Sequence, residues 1–274
     1  MSMPPHVRSA LETLLEGVSR KDLAARAALL TDTYRSAGPS AAAVAGPLDA
    51  LAYAVARMPA TYAATLEALR RAVQQSPDLQ PRSVLDLGSG PGTASLAALE
   101  MWPAITHVTM LEGLAAFRDL AAKFLRVGET PAPAQAEIVA GDLRAGGNDW
   151  AEADLVVAAY VLVEMSQAQA RSLVLDAYAK ARQALVLVEP GTTAGFARIR
   201  MARDGSSAVP HSSHHARTPW PAPWQVPTGV ISRYGSRARA ITSWRRPPRH
   251  LSRMRNSATS PSAGTPRTSW RERA

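Results

Sequence analysis

Residues 84–93 read Val-Leu-Asp-Leu-Gly-Ser-Gly-Pro-Gly-Thr and hold the most specific chemistry in the chain. Asp86 sits inside an apolar run, and Gly88, Gly90 and Gly92 follow at alternate positions, with Ser89 between the first two. Glycines lack Cβ and tolerate positive φ, so backbone can pass close to a ligand. A strand ending near Leu87 and a helix beginning near Thr93 would build a crevice from a strand's carboxyl end and a helix N-terminus. A lone Gly-x-Gly-x-x-Gly is weak, because plain turns and nicotinamide sites use it too. Here the third glycine comes one residue early and an acid lies in the strand end. That is the pattern of S-adenosylmethionine sites, where the acid faces the cationic amino acid and sulfonium end of the cofactor.

Other acids follow at the right intervals. Glu112 closes the next apolar run and suits the two hydroxyls of a ribose. Asp142, in Gly141-Asp142-Leu143, can accept from an adenine amino group while Leu143 packs on the ring; it can equally be a simple turn aspartate. Glu164 ends Tyr160-Val161-Leu162-Val163-Glu164, and Glu189 opens Glu189-Pro190-Gly191-Thr192. Either glutamate is a candidate catalytic base or a cap for the helix that follows. The chain has no Asn-Pro-Pro-Tyr or Asp-Pro-Pro-Tyr, which argues against the usual amino-methylation of adenine. It has no cysteine, which closes the thiol route to carbon-5 of pyrimidines and leaves no thiolate metal site. Tyr53 and Arg57 share a helix face and either lid the pocket or pack the helices on the sheet.

The elements needed to position these residues are readable. Helices are expected from about Leu11 to Val18, over 20–34, over 47–57, and from after Pro59 to about Val73. From Pro81 the pattern alternates, with strands at 83–87, 107–111, 136–140, 154–159 and 184–188 and helices at 93–101, 114–126 and 167–182. The strands are continuous apolar runs, as expected when both faces of a parallel sheet are covered. The expected fold is α/β: a Rossmann-like class I methyltransferase sheet (77–203) with an N-terminal helical cap (1–76) and a disordered C-terminal tail (204–274).

Charge supports that division. Residues 1–203 carry 19 Lys and Arg against 20 Asp and Glu, whereas residues 204–274 carry 12 Arg against 2 acids. The overall +9 therefore belongs to the tail and says nothing of what the body binds. Residues 1–203 hold 26 leucines and the remainder only Leu251, so the tail lacks the apolar content to bury a core. No apolar run approaches the ~20 residues of a membrane span. A soluble, cytoplasmic protein with no membrane partner is expected, and no DNA partner.

These residues resemble the methyltransferase-like proteins of the small ribosomal subunit, found in bacteria and mitochondria. The resemblance covers about residues 5–203. It rests on 84–93, on 52–63 with Arg57-Met58-Pro59-Ala60-Thr61-Tyr62, on 154–164, and on Glu189-Pro190-Gly191-Thr192 with Gly195-Phe196-Ala197-Arg198. It implies an S-adenosylmethionine-dependent methyltransferase, or a protein that only binds the cofactor and the ribosome. The partner implied is the small subunit or its rRNA, in methylation or assembly and so in translation.

The tail departs from that family, which continues with a cysteine-bearing segment thought to hold an iron–sulfur cluster or other metal. A reading-frame shift near Arg203 or Asp204 would explain the loss. Codons for 227–233 can be chosen that read Ala-Asp-Trp-Cys-His-Phe-Ser one base earlier. His214-His215-Ala216-Arg217, preceded by two serines, yields Val-Ala-Pro-Cys-Pro-His in the same frame. The alternative is a naturally evolved basic arm.

Overall fold

The computed structural model describes residues 3–35, 43–126, 135–207, 229–232 and 240–241. The chain opens with helices α1 (Pro5–Leu14), α2 (Arg20–Arg35), α3 (Pro47–Ala56) and α4 (Met58–Gln75). In α1, Val7, Ala10 and Leu11 form the buried stripe, at the three- and four-residue spacing of one helix face. Asp49 fixes the start of α3. Its Oδ2 accepts from the amides of Ala45 and Gly46, and its Oδ1 accepts from Arg26 of α2 at 3.2 Å.

The alternating part follows: β1 (Ser83–Leu87), α5 (Thr93–Met101), β2 (His107–Glu112), α6 (Ala115–Arg126), β3 (Gln135–Ala140), β4 (Ala153–Ala159), α7 (Gln167–Lys180), β5 (Ala181–Val188) and α8 (Thr193–Ser207). Two short strands, β6 (Gly229–Ser232) and β7 (Ala240–Ile241), come last. The sheet order is β3-β2-β1-β4-β5-β6-β7. The first five strands are parallel; β6 runs antiparallel to β5, and β7 antiparallel to β6.

Successive side chains of a strand point to opposite faces, and two cores result. Val84, Val108, Met110, Leu155 and Val157 face a core shared with α1 through α6, including Tyr62, Leu69, Leu99 and Phe124. Leu85, Leu87, Val156 and Leu185 face the other, shared with Leu173 and Val174 of α7 and Ile199 of α8. By the same alternation Asp86 and Glu112 lie on the face that α5 and α6 cover. The helices of 1–76 thus share one continuous core with the sheet.

The expected α/β architecture with N-terminal helices is what the structure has. Three elements lie outside the reading. Helix α8 runs through Arg203 to Ser207, across the expected boundary at 203/204. Strands β6 and β7 extend the sheet from within the stretch expected to be disordered, and the reason they escape notice is their length of four and two residues. The rest of the tail lies outside the described residues, as do the cysteine-coding stretches proposed at 214–217 and, in part, 227–233. β5 also begins three residues before the expected 184, where Ala181 pairs with Ala153, and the register slips by one residue before Leu155 pairs with Ala184.

Candidate functional site

The glycine turn sits at the carboxyl end of β1. Gly88 and Ser89 both donate to the carbonyl of Leu111 at the end of β2, at 2.8 and 3.2 Å. Gly88, Gly90 and Gly92 all have left-handed backbone, with φ of +68°, +56° and +83°. At Gly88 the requirement is double: a Cβ would collide with Cγ2 of Val161 and come 3.3 Å from Cδ1 of Leu143. At Gly90 a Cβ would meet nothing within 4 Å, so the middle of the turn opens onto free space. Gly92 caps α5, whose first turn then faces β1.

Asp86 is 1% exposed. Its Oδ2 accepts from the amide and the hydroxyl of Ser95 in α5, at 3.0 and 2.7 Å. Its Oδ1 is enclosed with no hydrogen-bond partner. Burial pushes this carboxyl up to about 6, against the two Ser95 hydrogen bonds, and the charge of Glu112 adds to the rise. A buried acceptor without a donor is costly, so this oxygen is the site's strongest sign of a missing cation or donor.

Glu112 closes over the turn from β2. Oε2 accepts from Gly90 N and Oε1 from Leu114 N, each at 2.8 Å. Burial raises its carboxyl, the Leu114 and Gly90 amides oppose that, and Glu164 raises it further. Arg118, which the sequence did not single out, donates to the carbonyls of Glu112 and Gly113 at 3.0 and 2.7 Å and fixes the strand end.

Leu143, Val161 and the turn therefore meet at one spot, with Asp86 and Glu112 beside them. Asp142 is different. Its side chain is exposed, and its Oδ1 accepts from the amide of Arg144 at 2.9 Å, the geometry of a turn aspartate. Glu164 is half-buried at the end of a 3-10 turn, Leu162–Glu164, and its charge reaches Glu112 across the strand ends. Glu189 is 2% exposed. Its Oε1 accepts from Leu162 N at 3.1 Å and its Oε2 from Arg198 of α8 at 3.3 Å. Burial pushes it up to about 7, opposed by Arg198 and by the amides of Leu162 and Val163. Tyr53 packs edge-on against Phe117 of α6, ring centres 5.0 Å apart, so it joins helix to helix.

Tyr160 is a residue whose role no sequence signal conveys. Among the described residues it is the one non-glycine with positive φ, at 60°. Its amide donates to Val188 at 2.7 Å, and the chain then turns into the 160–164 segment. Such backbone in a bulky residue stores strain and concentrates at functional sites. Among the described residues no group of three or more His, Asp or Glu could hold a metal ion, and no helix is long and apolar enough to cross a membrane.

Comparison with known proteins bears on this geometry. The model of the family described as mitochondrial small ribosomal subunit Rsm22 matches residues 47–228. The human mitochondrial ribosome assembly protein METTL17 is 31% identical over 156 residues, which is 56% of this chain and 34% of that protein. The chain thus spans about a third of the length of that relative. Among solved structures, an O-methyltransferase family protein from Burkholderia thailandensis superposes with a TM-score of 0.51 at 18% identity, over 69% of this chain and 60% of that one. Magnesium protoporphyrin IX methyltransferase from Synechocystis PCC 6803, with bound SAM, gives 0.42 at 18% identity, over 53% and 68%. The fold is that of the methyltransferases.

Proposed function

The chain belongs to the Rsm22 family, and from that premise we propose that it binds S-adenosylmethionine at the β1–β2 strand ends in the service of small-subunit rRNA methylation or assembly. One observation carries the cofactor reading: the enclosed Oδ1 of Asp86 has no partner, beside a glycine turn whose middle opens onto free space. An ammonium group is the donor that such an anionic acceptor suits. Gly88, Ser89, Gly90 and Gly92 would hold the methionine end with Asp86. Glu112 has lone pairs left on both oxygens for the ribose, and Leu143, with Asp142, would meet the adenine. When bound, the cofactor supplies an electrophilic methyl group. The chain's own contribution is alignment, plus a base only if the acceptor is protonated.

A second reading is a cofactor-binding assembly scaffold without methyl transfer. It is favoured by the engagement of both Glu189 oxygens, which leaves this carboxylate tied rather than poised as a base. Its other support is that the human relative is named a ribosome assembly protein. Under either reading residues 1–76 serve as a helical cap on the cofactor domain, and the partner is the small subunit or its rRNA. The family description and the relative both name the mitochondrion, so the cytoplasmic placement expected from the sequence is tested by fractionation.

Calorimetric binding of S-adenosylmethionine to the protein and to Asp86→Ala decides the cofactor reading; no binding by folded wild-type protein overturns it. Transfer of labelled methyl to small-subunit rRNA then separates enzyme from scaffold. The scaffold predicts cofactor binding without transfer, and subunit association that survives Asp86→Ala.

A further inference from the structure

The carboxylate of Glu189 joins two elements that share no strand pairing. On one side lies α8, whose start is locked to the end of β5. Gly195 donates to the hydroxyl of Thr192 at 3.1 Å, and a Cβ on Gly195 would strike the carbonyl of Pro190. Arg198, one turn further along, reaches back to Oε2. On the other side lies the 160–164 segment. There Tyr160 turns with positive φ, Leu162 is buried in the second core, and the Leu162 amide donates to Oε1. The residue between them, Val161, presents Cγ2 where a side chain on Gly88 would stand. A single line of contacts thus runs from Arg198 through Glu189 and the Leu162 amide to Val161 and the glycine turn.

We propose that Glu189 is a positioning residue: anchored by Arg198, its carboxylate holds the strained 160–164 segment against Gly88, and neutralising it loosens that wall of the crevice. The first N–H groups of a helical turn have no partner within the turn. Leu162 is in that position, and Glu189 supplies its acceptor. A neutral acid would keep at best the weaker half of this arrangement, because the charge-assisted bond to Arg198 goes with the charge. The charged and titratable groups that act on Glu189 are Arg198, from α8, and Tyr160, from the end of β4, whose hydroxyl is held protonated by burial and by Glu189 itself. Glu189 titrates at about 7, so the wall is held above neutrality and released below it. The effect on cofactor binding rests on the cofactor reading above; the tether itself does not.

The test follows the Leu162 amide resonance against pH in the full chain without cofactor, then measures S-adenosylmethionine affinity by calorimetry at pH 8 and pH 6. In wild type the resonance should move with a midpoint near 7. Glu189→Gln should abolish that movement, Arg198→Met should shift its midpoint upward, and Arg198→Lys should restore it. Between pH 8 and 6, wild-type affinity should fall about tenfold more than that of Glu189→Gln, as for loss of one charge-assisted hydrogen bond. The comparison is internal because Asp86 titrates in both proteins. A Leu162 resonance that is flat through pH 7, or that titrates unchanged in Glu189→Gln, overturns the proposal. Equal pH dependence of affinity in the two proteins overturns the link to the crevice. Normal titration with no cofactor binding at either pH supports the tether and overturns the cofactor reading instead.

Discussion

Glu112 and Gly90 are joined at 2.8 Å, carboxylate oxygen to backbone amide, across the ends of the first two strands. The acid expected to hold a ribose is thus the acid that holds the glycine turn in shape. The two roles are compatible because a carboxylate oxygen accepts more than one hydrogen bond.

Glu112→Gln separates those roles. The amide can still accept from Gly90 or from Leu114, but its NH2 group must then face the other donor. Against that loss, the neutral side chain escapes the desolvation that raises the Glu112 carboxyl. The two effects oppose, so stability should change by no more than about 1 kcal/mol in urea denaturation. Cofactor affinity should fall by about tenfold or more, since charge-assisted bonds to hydroxyls are the stronger kind. A variant with wild-type affinity removes Glu112 from the site.

Asp86→Asn should gain stability and lose binding. Asp86 titrates at about 6 in the fold, against an ordinary value of 3.8. Between those values the folded state holds a proton that the unfolded state has released, so this group's contribution falls as pH rises and is lost above about 6. A rise of this size corresponds to roughly 3 kcal/mol. Glu189, raised to about 7, acts in the same direction. Urea denaturation at pH 4, 6 and 8 should show wild type losing stability as pH rises. Asp86→Asn should be flatter and, at pH 8, the more stable protein, because Ser95 can still donate to the amide oxygen. Its NH2 group would repel an ammonium where Oδ1 now stands, so S-adenosylmethionine binding should vanish.

These residues also show how far a sequence can be read. Asp86, the glycines and Glu112 are legible because a parallel strand followed by a tight turn demands those types at those spacings. β1 through β5 are legible as short apolar runs, β5 apart from its first three residues. Helix α8 is not, because among its described side chains only Ile199 and Ala202, with Met201 packed beside them, mark a core-facing stripe. β6 is not, because four residues in an arginine- and proline-rich stretch carry no period. The reach of Arg198 to Glu189 depends on how α8 folds back on the end of β5, and the positive φ of Tyr160 on how the end of β4 turns beside Val188. Asp142 shows the converse: its position after β3 suits adenine, and its side chain bonds to its own turn.

The tail makes a prediction about the gene. If the frame shifts, resequencing codons 195–228 should find a base gained or lost. The family match reaches residue 228, and β6 pairs along β5 from 229 onward, which is what an unshifted chain would give. The cysteine codons available from His214 onward are what a shifted chain would give. An unchanged gene retires the shift and leaves a tail rich in arginine. Its binding to RNA should then weaken steeply with salt, because each phosphate neutralised releases counterions.

Gly88 and Gly90 should respond differently to the same substitution. Both have positive φ, so alanine strains the backbone at each by about 1–2 kcal/mol. At Gly90 the added methyl meets nothing within 4 Å, and that strain should be the whole stability cost. At Gly88 the methyl collides with Val161, so a further 1–3 kcal/mol or so of overpacking should appear. Val161→Ala removes the colliding Cγ2. The double variant Gly88→Ala with Val161→Ala should therefore recover most of the overpacking cost and none of the backbone strain, a coupling that a double-mutant cycle in urea reads directly. Additive effects would mean that the 160–164 segment does not press on the turn in solution. Binding sharpens the contrast: Gly90→Ala places its methyl in the open space assigned to the cofactor, so it should cost more affinity than stability, while the Gly88 pair should recover stability ahead of affinity.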